Sequence, residues 1–192
     1  MSTPPLAASV PATASPAPGY DAAHWVKGSE SRVSAISSVA PRCLKELGCP
    51  YSTLEPPECP NDVVFETYEP GVDLGGTIGR QATFRGVLRV HALSTLRGCQ
   101  GCCNSAGGEL WLANAATASN DVPRDGLALT DREHPQAFSC LGDESRVCCG
   151  FKADEEVLVS GTLREQQGRH VLEDAMLCKW VGGNAPRQGS SK

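Results

Sequence analysis

Ten cysteines, at 43, 49, 59, 99, 102, 103, 140, 148, 149 and 178, are the residues of this chain with the most chemistry open to them. In CQGCCNS, the pair Cys99 and Cys102 has the spacing of a redox dithiol or of half a zinc knuckle. A tetrahedral zinc site needs two more ligands, and the other cluster is the vicinal pair Cys148-Cys149 with no histidine within ten residues. Consecutive α-carbons stand about 3.8 Å apart, below the roughly 4.4 to 6.8 Å that a disulfide spans. Neither vicinal pair is therefore expected to bridge internally, and Cys102, Cys103, Cys148 and Cys149 should each reach a different element. An even cysteine count in a Gly- and Pro-rich chain reads as a disulfide framework from an oxidising compartment, so all ten are disulfide candidates.

Other constellations are weaker. Cys49-Pro50-Tyr51-Ser52 has the letters of a monothiol glutaredoxin site, but here the cysteine follows a predicted helix instead of preceding one, so no helix dipole would lower its pKa. The histidines 24, 91, 134 and 170 are scattered, without HExxH or HxH. Neither GxSxG nor GxxxxGK[ST] occurs. The acid pairs Asp143-Glu144 and Glu173-Asp174 are adjacent, so on strands they should point to opposite faces. No residue is assigned a catalytic role, and no metal or cofactor is called for.

With 192 residues, 40% hydrophobic and only 5% aromatic, the chain is bounded to one compact domain with flexible ends whose small core needs support from its cysteines. No apolar run approaches the about 18 residues of a membrane span. The formal net charge of −5, and 10 basic against 13 acidic side chains over residues 81 to 181, argue against a phosphate-backbone partner. Residues 1–22 read as a disordered Pro/Ala-rich tether and 182–192 as a flexible tail. The first 19 residues have no basic residue and no apolar run, so they are not an export signal; the expectation is a signal or lipid anchor removed upstream.

Between the ends, residues 23–79 read as an irregular appendage. It should hold a short helix from Pro41 to Leu47, a strand near Val63 to Tyr68, and a local staple among Cys43, Cys49 and Cys59. Strand alternation becomes legible over residues 80–181. Ala82, Phe84, Gly86, Leu88, Val90 and Ala92 share one face, with Thr83, Arg85, Arg89 and His91 on the other. Further strands are predicted at Glu109 to Ala113, Gln136 to Leu141, Glu156 to Glu165 and Arg169 to Cys178, the last two joined by a Gln-Gln-Gly turn. Glycines inside two strands mark sharp coiling and favour a small closed barrel.

The glycine-bearing first strand, the long loop after it, the cysteine-bearing connection and the closing VLVSGTLREQQGRHVLEDAMLC resemble an OB-fold barrel. The runs CxxCCN and CxGDESxxCCG resemble cysteine-rich OB-like domains of bacterial envelope lipoproteins of unassigned function. The resemblance covers about half the chain and implies a mainly β, five-stranded Greek-key barrel stapled by disulfides. It also implies a periplasmic, outer-membrane-associated or extracellular location. A ligand face, if the barrel has one, should use Arg85, Arg89, Trp111 and Phe138. Stacking residues without surplus positive charge suit an envelope protein, peptide or glycan better than nucleic acid. The expected function is a non-catalytic binding or structural module. A zinc-thiolate or redox protein using the CxxCC and CC clusters is the first alternative, and single-stranded nucleic-acid binding through the barrel face the second.

Overall fold

The structure is a computed structural model and describes residues 22–31, 49, 53–92, 106–118, 121–142 and 147–182. The predicted helix at 41–47, both predicted ends, and Cys43, Cys99, Cys102 and Cys103 lie outside the described residues. In chain order the elements are β1 (Val26–Lys27), β2 (Glu66–Thr67), β3 (Gln81–Ala92), β4 (Ala106–Ala113), α1 (Val122–Asp125), β5 (Leu127–Leu129), β6 (Ser139–Gly142), β7 (Val147–Cys149), β8 (Glu156–Gln166) and β9 (Arg169–Lys179). Strands β3, β8, β9, β5 and β4 pair in that order, and β4 returns to β3, closing a five-stranded barrel. Every pairing in the ring is antiparallel except β5 with β9. Numbered within the barrel, the strands run 1-2-3-5-4-1 with 3 parallel to 5, an OB-like Greek-key connection.

Alternation built the predicted strands where the wall is long. Phe84 and Leu88 of β3, Leu110 and Leu112 of β4, and Val157, Val159 and Leu163 of β8 all enter one interior cluster. Gly86 faces the same interior because β3 coils there. A Cβ at this position would lie 2.7 Å from the Ala113 carbonyl oxygen and 2.9 Å from Leu112. Gly161 relieves a second close approach, to the Glu173 carbonyl oxygen at 2.9 Å, where the β8–β9 register shifts between Ser160 and Thr162. The hairpin between these strands turns on Gln167 and Gly168, both at positive φ, as a tight two-residue turn between right-twisted strands requires.

The third barrel strand differs from the expectation. It is β5, whose three residues are too few for a period of two to register in the sequence. The segment predicted as that strand supplies β6 instead, which pairs with the N-terminal half of β4 and with β7. This β6–β7 hairpin occupies the link between the third and fourth barrel strands and feeds the core. Phe138 just before it and Phe151 just after it stack at 5.7 Å, adding Ala137, Cys140 and Cys149 to the interior cluster. From the other side, Tyr68 and Leu74 enter the same cluster, and burial pushes the Tyr68 phenol up to about 12. The barrel interior is filled by the chain's own side chains.

The appendage is irregular but not separate. β1 continues the β9 edge, pairing Val26 with Leu177, and β2 runs parallel to β3. Trp25, Phe65, Leu158 and Cys178 form a second cluster outside the wall, with Cys59, Val63, Met176 and Trp180 packed against it. That cover explains why β8 reads as a nearly continuous buried run. The expected local staple is overturned, because Cys49 and Cys59 do not hold each other's loop. Cys49 pairs with Cys148 and Cys59 with Cys178, at sequence separations of 99 and 119, while Cys140 pairs with Cys149 across β6 and β7. As expected, Cys148 and Cys149 reach different elements.

Two outcomes test these packing relations. Through the Cys49–Cys148 bridge, the shortest chain loop closed by Cys59–Cys178 is about 40 residues. A Cys59→Ser/Cys178→Ser double variant should therefore lose about 4 kcal/mol in urea unfolding. Gly86→Ala should cost about 1 to 3 kcal/mol in the same measurement, because a backbone carbonyl blocks its methyl group. A neutral result for either would show that the strap or the coil at Gly86 is not placed as described.

Candidate functional site on the outer wall

The four residues expected to make a ligand face are not brought together. Arg85 and Arg89 stand on the outer side of β3, as the alternation requires. Arg85 Nε donates to Glu156 Oε1 at 2.6 Å, and its guanidinium lies 5.3 Å from the centre of the Trp180 ring. Arg89 pairs with Asp154, and its Nη2 donates to the Ala115 carbonyl at 3.0 Å. Trp111 and Phe138, by contrast, are only 2% and 3% exposed. With so few aromatic side chains, the largest are drawn into the cores, where each stabilises the fold by about 1.5 to 3 kcal/mol.

Trp111 does point outward from β4, yet the chain covers it. Pro123 lies in the first turn of α1, after Asp121 and Val122, and Gly126 follows the helix. Val122 packs with Trp111, Ala113 and Ala128 in a small cluster on the outside of β4 and β5. The Trp111 indole N–H donates to Glu109 at 3.2 Å, and His91 approaches the ring edge-on at 6.1 Å. Phe138 lies on the other side of the wall, stacked on Phe151 and capped by the turn at Gly28, where any Cβ would fall 2.5 Å from its ring. Neither ring can serve a ligand by stacking in this arrangement.

Charged side chains organise the rest of the wall. The adjacent carboxylates Glu173 and Asp174 were expected on opposite faces, but both reach Arg132. Asp174 Oδ2 accepts from Arg132 Nε at 2.8 Å, and Glu173 stands 3.6 Å from the same nitrogen. The cause is backbone conformation: at the β8–β9 register shift Asp174 has φ of 55°, a left-handed geometry that Asp tolerates and that re-aims its side chain. Arg164 adds a contact to Glu173 at 3.4 Å. Hydrogen bonding from Arg132 is the main cause that holds the Asp174 carboxyl below its ordinary value. On the opposite side Lys179 pairs with Glu55 at 2.6 Å, tying the appendage to β9, and that hydrogen bond holds the Glu55 carboxyl low.

Ser160 is buried and its hydroxyl lies 3.0 Å from both Gln81 Nε2 and Thr83 Oγ1. Among the described residues no three His, Cys, Asp or Glu side chains form a metal-binding group. The six described cysteines are all in disulfides. Trp180 lies outside the set of residues expected at the site, yet its ring touches both Arg85 and Phe65, the latter at 4.9 Å. Continuing the outward register of Cys178 by two residues locates it.

The Arg132–Asp174 pair gives a pH prediction with a definite sign. A carboxyl held low in the folded state adds stability above its unfolded pKa, near 3.9, and that contribution disappears as pH falls through the lower folded value. Asp174→Asn should flatten this acid limb with a loss below about 1 kcal/mol at pH 7, since the pair is solvent-screened. Asp174→Val should cost about 1 to 3 kcal/mol more, because a β-branched residue resists left-handed φ. Urea midpoints from pH 2 to 7 decide it, and an unchanged acid limb in Asp174→Asn would refute the assignment.

No protein-family model matches this chain, and neither a curated protein nor a solved structure matches it at a significant level. The fold and the wall therefore have to be interpreted from their own geometry: a closed barrel, filled inside, covered over β4–β5 by α1 and over β8–β9 by a disulfide-fastened strap.

Proposed function

We propose that the chain is a non-catalytic binding or structural module of the bacterial cell envelope, exported and oxidised. The finer likeness to cysteine-rich OB-like domains of envelope lipoproteins is part of this proposal. The observation that carries it is the course of the two long-range bridges. Cys49–Cys148 and Cys59–Cys178 fasten the N-terminal segment across the outside of the barrel. A fold braced this way suits an oxidising compartment, and would be a poor choice where thiols are kept reduced. No helix among the described residues is long and apolar enough to cross a membrane. With the interior occupied by Phe84, Leu88, Phe138 and Phe151, a partner would meet the exterior surface, which fits a protein, peptide or glycan ligand.

The test compares compartments. Sent to the periplasm of a Gram-negative bacterium, the full chain should resist alkylation until a reductant is added, and should contain no zinc. Made in the cytoplasm, it should react with maleimide and fail to accumulate as folded protein. A soluble cytoplasmic form with alkylatable cysteines and stoichiometric zinc would overturn the proposal in favour of a metal-thiolate protein.

A further inference from the structure

We propose that the patch around Val64 and Trp180 is a docking surface for a basic, extended segment of a partner protein, which adds as a strand beside β2. The proposal rests on the reading of the chain as a binding module and names the surface and the partner's chemistry. Among the described residues β2 ends the strand order of the sheet, with β3 as its one strand neighbour. Its outer edge is thus available to accept main-chain hydrogen bonds, the basis of recognition by strand addition.

Beside that edge the surface has the composition of an interface centre. Val64 is 88% exposed and Val181 is 54% exposed, the two most open of the five exposed large apolar side chains among the described residues. They are the chain neighbours of Phe65 and Trp180, which touch each other, and Arg85 lies over the Trp180 ring. Trp and Arg are enriched among residues that dominate binding energy. The Phe65 contact and the Glu156 ion pair hold Trp180 and Arg85 in place, so less rotamer entropy is lost on docking.

Charge selects the partner. Residues 53–79 carry Glu55, Glu58, Asp62, Glu66, Glu69 and Asp73 and no Lys or Arg. Glu55 is engaged by Lys179, but Asp62 and Glu66, on either side of Val64, are exposed and make no ion pair among the described residues. These two carboxylates repel the same edge of a second copy, which guards a short edge strand against self-association. Val63 and Phe65 pack inward, so Asp62, Val64 and Glu66 share the outer face. Together they attract an incoming strand that presents basic, apolar and basic side chains at every second position, the apolar one meeting Val64 and the cations Asp62 and Glu66.

The experiment titrates the 15N-labelled full chain with the capped seven-residue peptide Thr-Lys-Thr-Val-Thr-Lys-Thr, whose Lys, Val and Lys share one face, followed by NMR. The controls are a peptide of the same composition in two blocks and a Glu/Val peptide in which Glu replaces each Lys. The expected result is saturable shifts centred on the amides of Val64 to Thr67 and the Trp180 indole. Val64→Lys, Asp62→Lys/Glu66→Lys, the block order and 0.5 M salt should each weaken binding at least tenfold, about 1.4 kcal/mol. An unchanged spectrum away from residue 64 shows that Val64→Lys is folded. Absence of saturable shifts at the patch, shifts mapping elsewhere, indifference to Val64→Lys, or equal binding of the Glu/Val peptide would each overturn the proposal. So would amides of Val64 to Thr67 already protected from exchange in the free chain, since an intrachain occupant would then hold the edge. These results are separate from the compartment test: a chain that fails there but binds the peptide at Val64 loses the envelope reading and keeps the surface.

Discussion

Burial on both sides of the barrel wall is the constraint that the rest of the structure answers. A five-stranded barrel closes over an interior just large enough for one layer of side chains, and that leaves an outer surface with apolar residues of its own. Here Leu158 and Cys178 face outward from β8 and β9, and Trp111 faces outward from β4. Each needs a cover, and the chain supplies one from its own irregular segments. Trp25 and Phe65 close over β8–β9, while Val122 of α1 closes over β4. Such covers are too small to stay in place by area alone. The Cys59–Cys178 bridge, the Lys179–Glu55 pair and the two short strands β1 and β2 add the fastening.

The same constraint decides what was legible in the sequence. β3, β8 and β9 were readable because they are long; β3 alternates cleanly, and β3 and β8 carry glycine where they coil. The turn at Gln167-Gly168 was readable because it needs positive φ. β5 and α1 were not, since three strand residues and four helical residues show no period, and their existence depends on tertiary contacts with Trp111 and Leu172. The Val-Pro-Arg-Asp-Gly run held the one local signal for α1, a proline in the first turn and a glycine after the last.

The proposed ligand face failed for a related reason. Alternation places a side chain inside or outside the wall, but an outward position is exposed only if nothing packs over it, and the cover comes from residues remote in sequence. Trp111 was correctly placed outside and is buried. Arg85, correctly placed outside, remains at the surface and acquires Trp180 as a neighbour. The carboxylates at 173 and 174 show the complementary failure, in which a single left-handed residue cancels the period-two rule and turns two divergent groups toward one guanidinium.

Cys148 and Cys149 occupy successive positions of β7, so their side chains leave opposite faces of the strand. One therefore bridges to Cys49 and the other to Cys140, its direct cross-strand neighbour. Exchanging the two partners would require β7 to slip by one residue against β6, which would also carry Cys149, and Val147 with it, off the core-facing side of the hairpin. Strand register thus acts as the proofreader of oxidation. The hairpin has to dock before its thiols are committed, and an oxidant that acts on the unfolded chain would lock in isomers that only reshuffling could release.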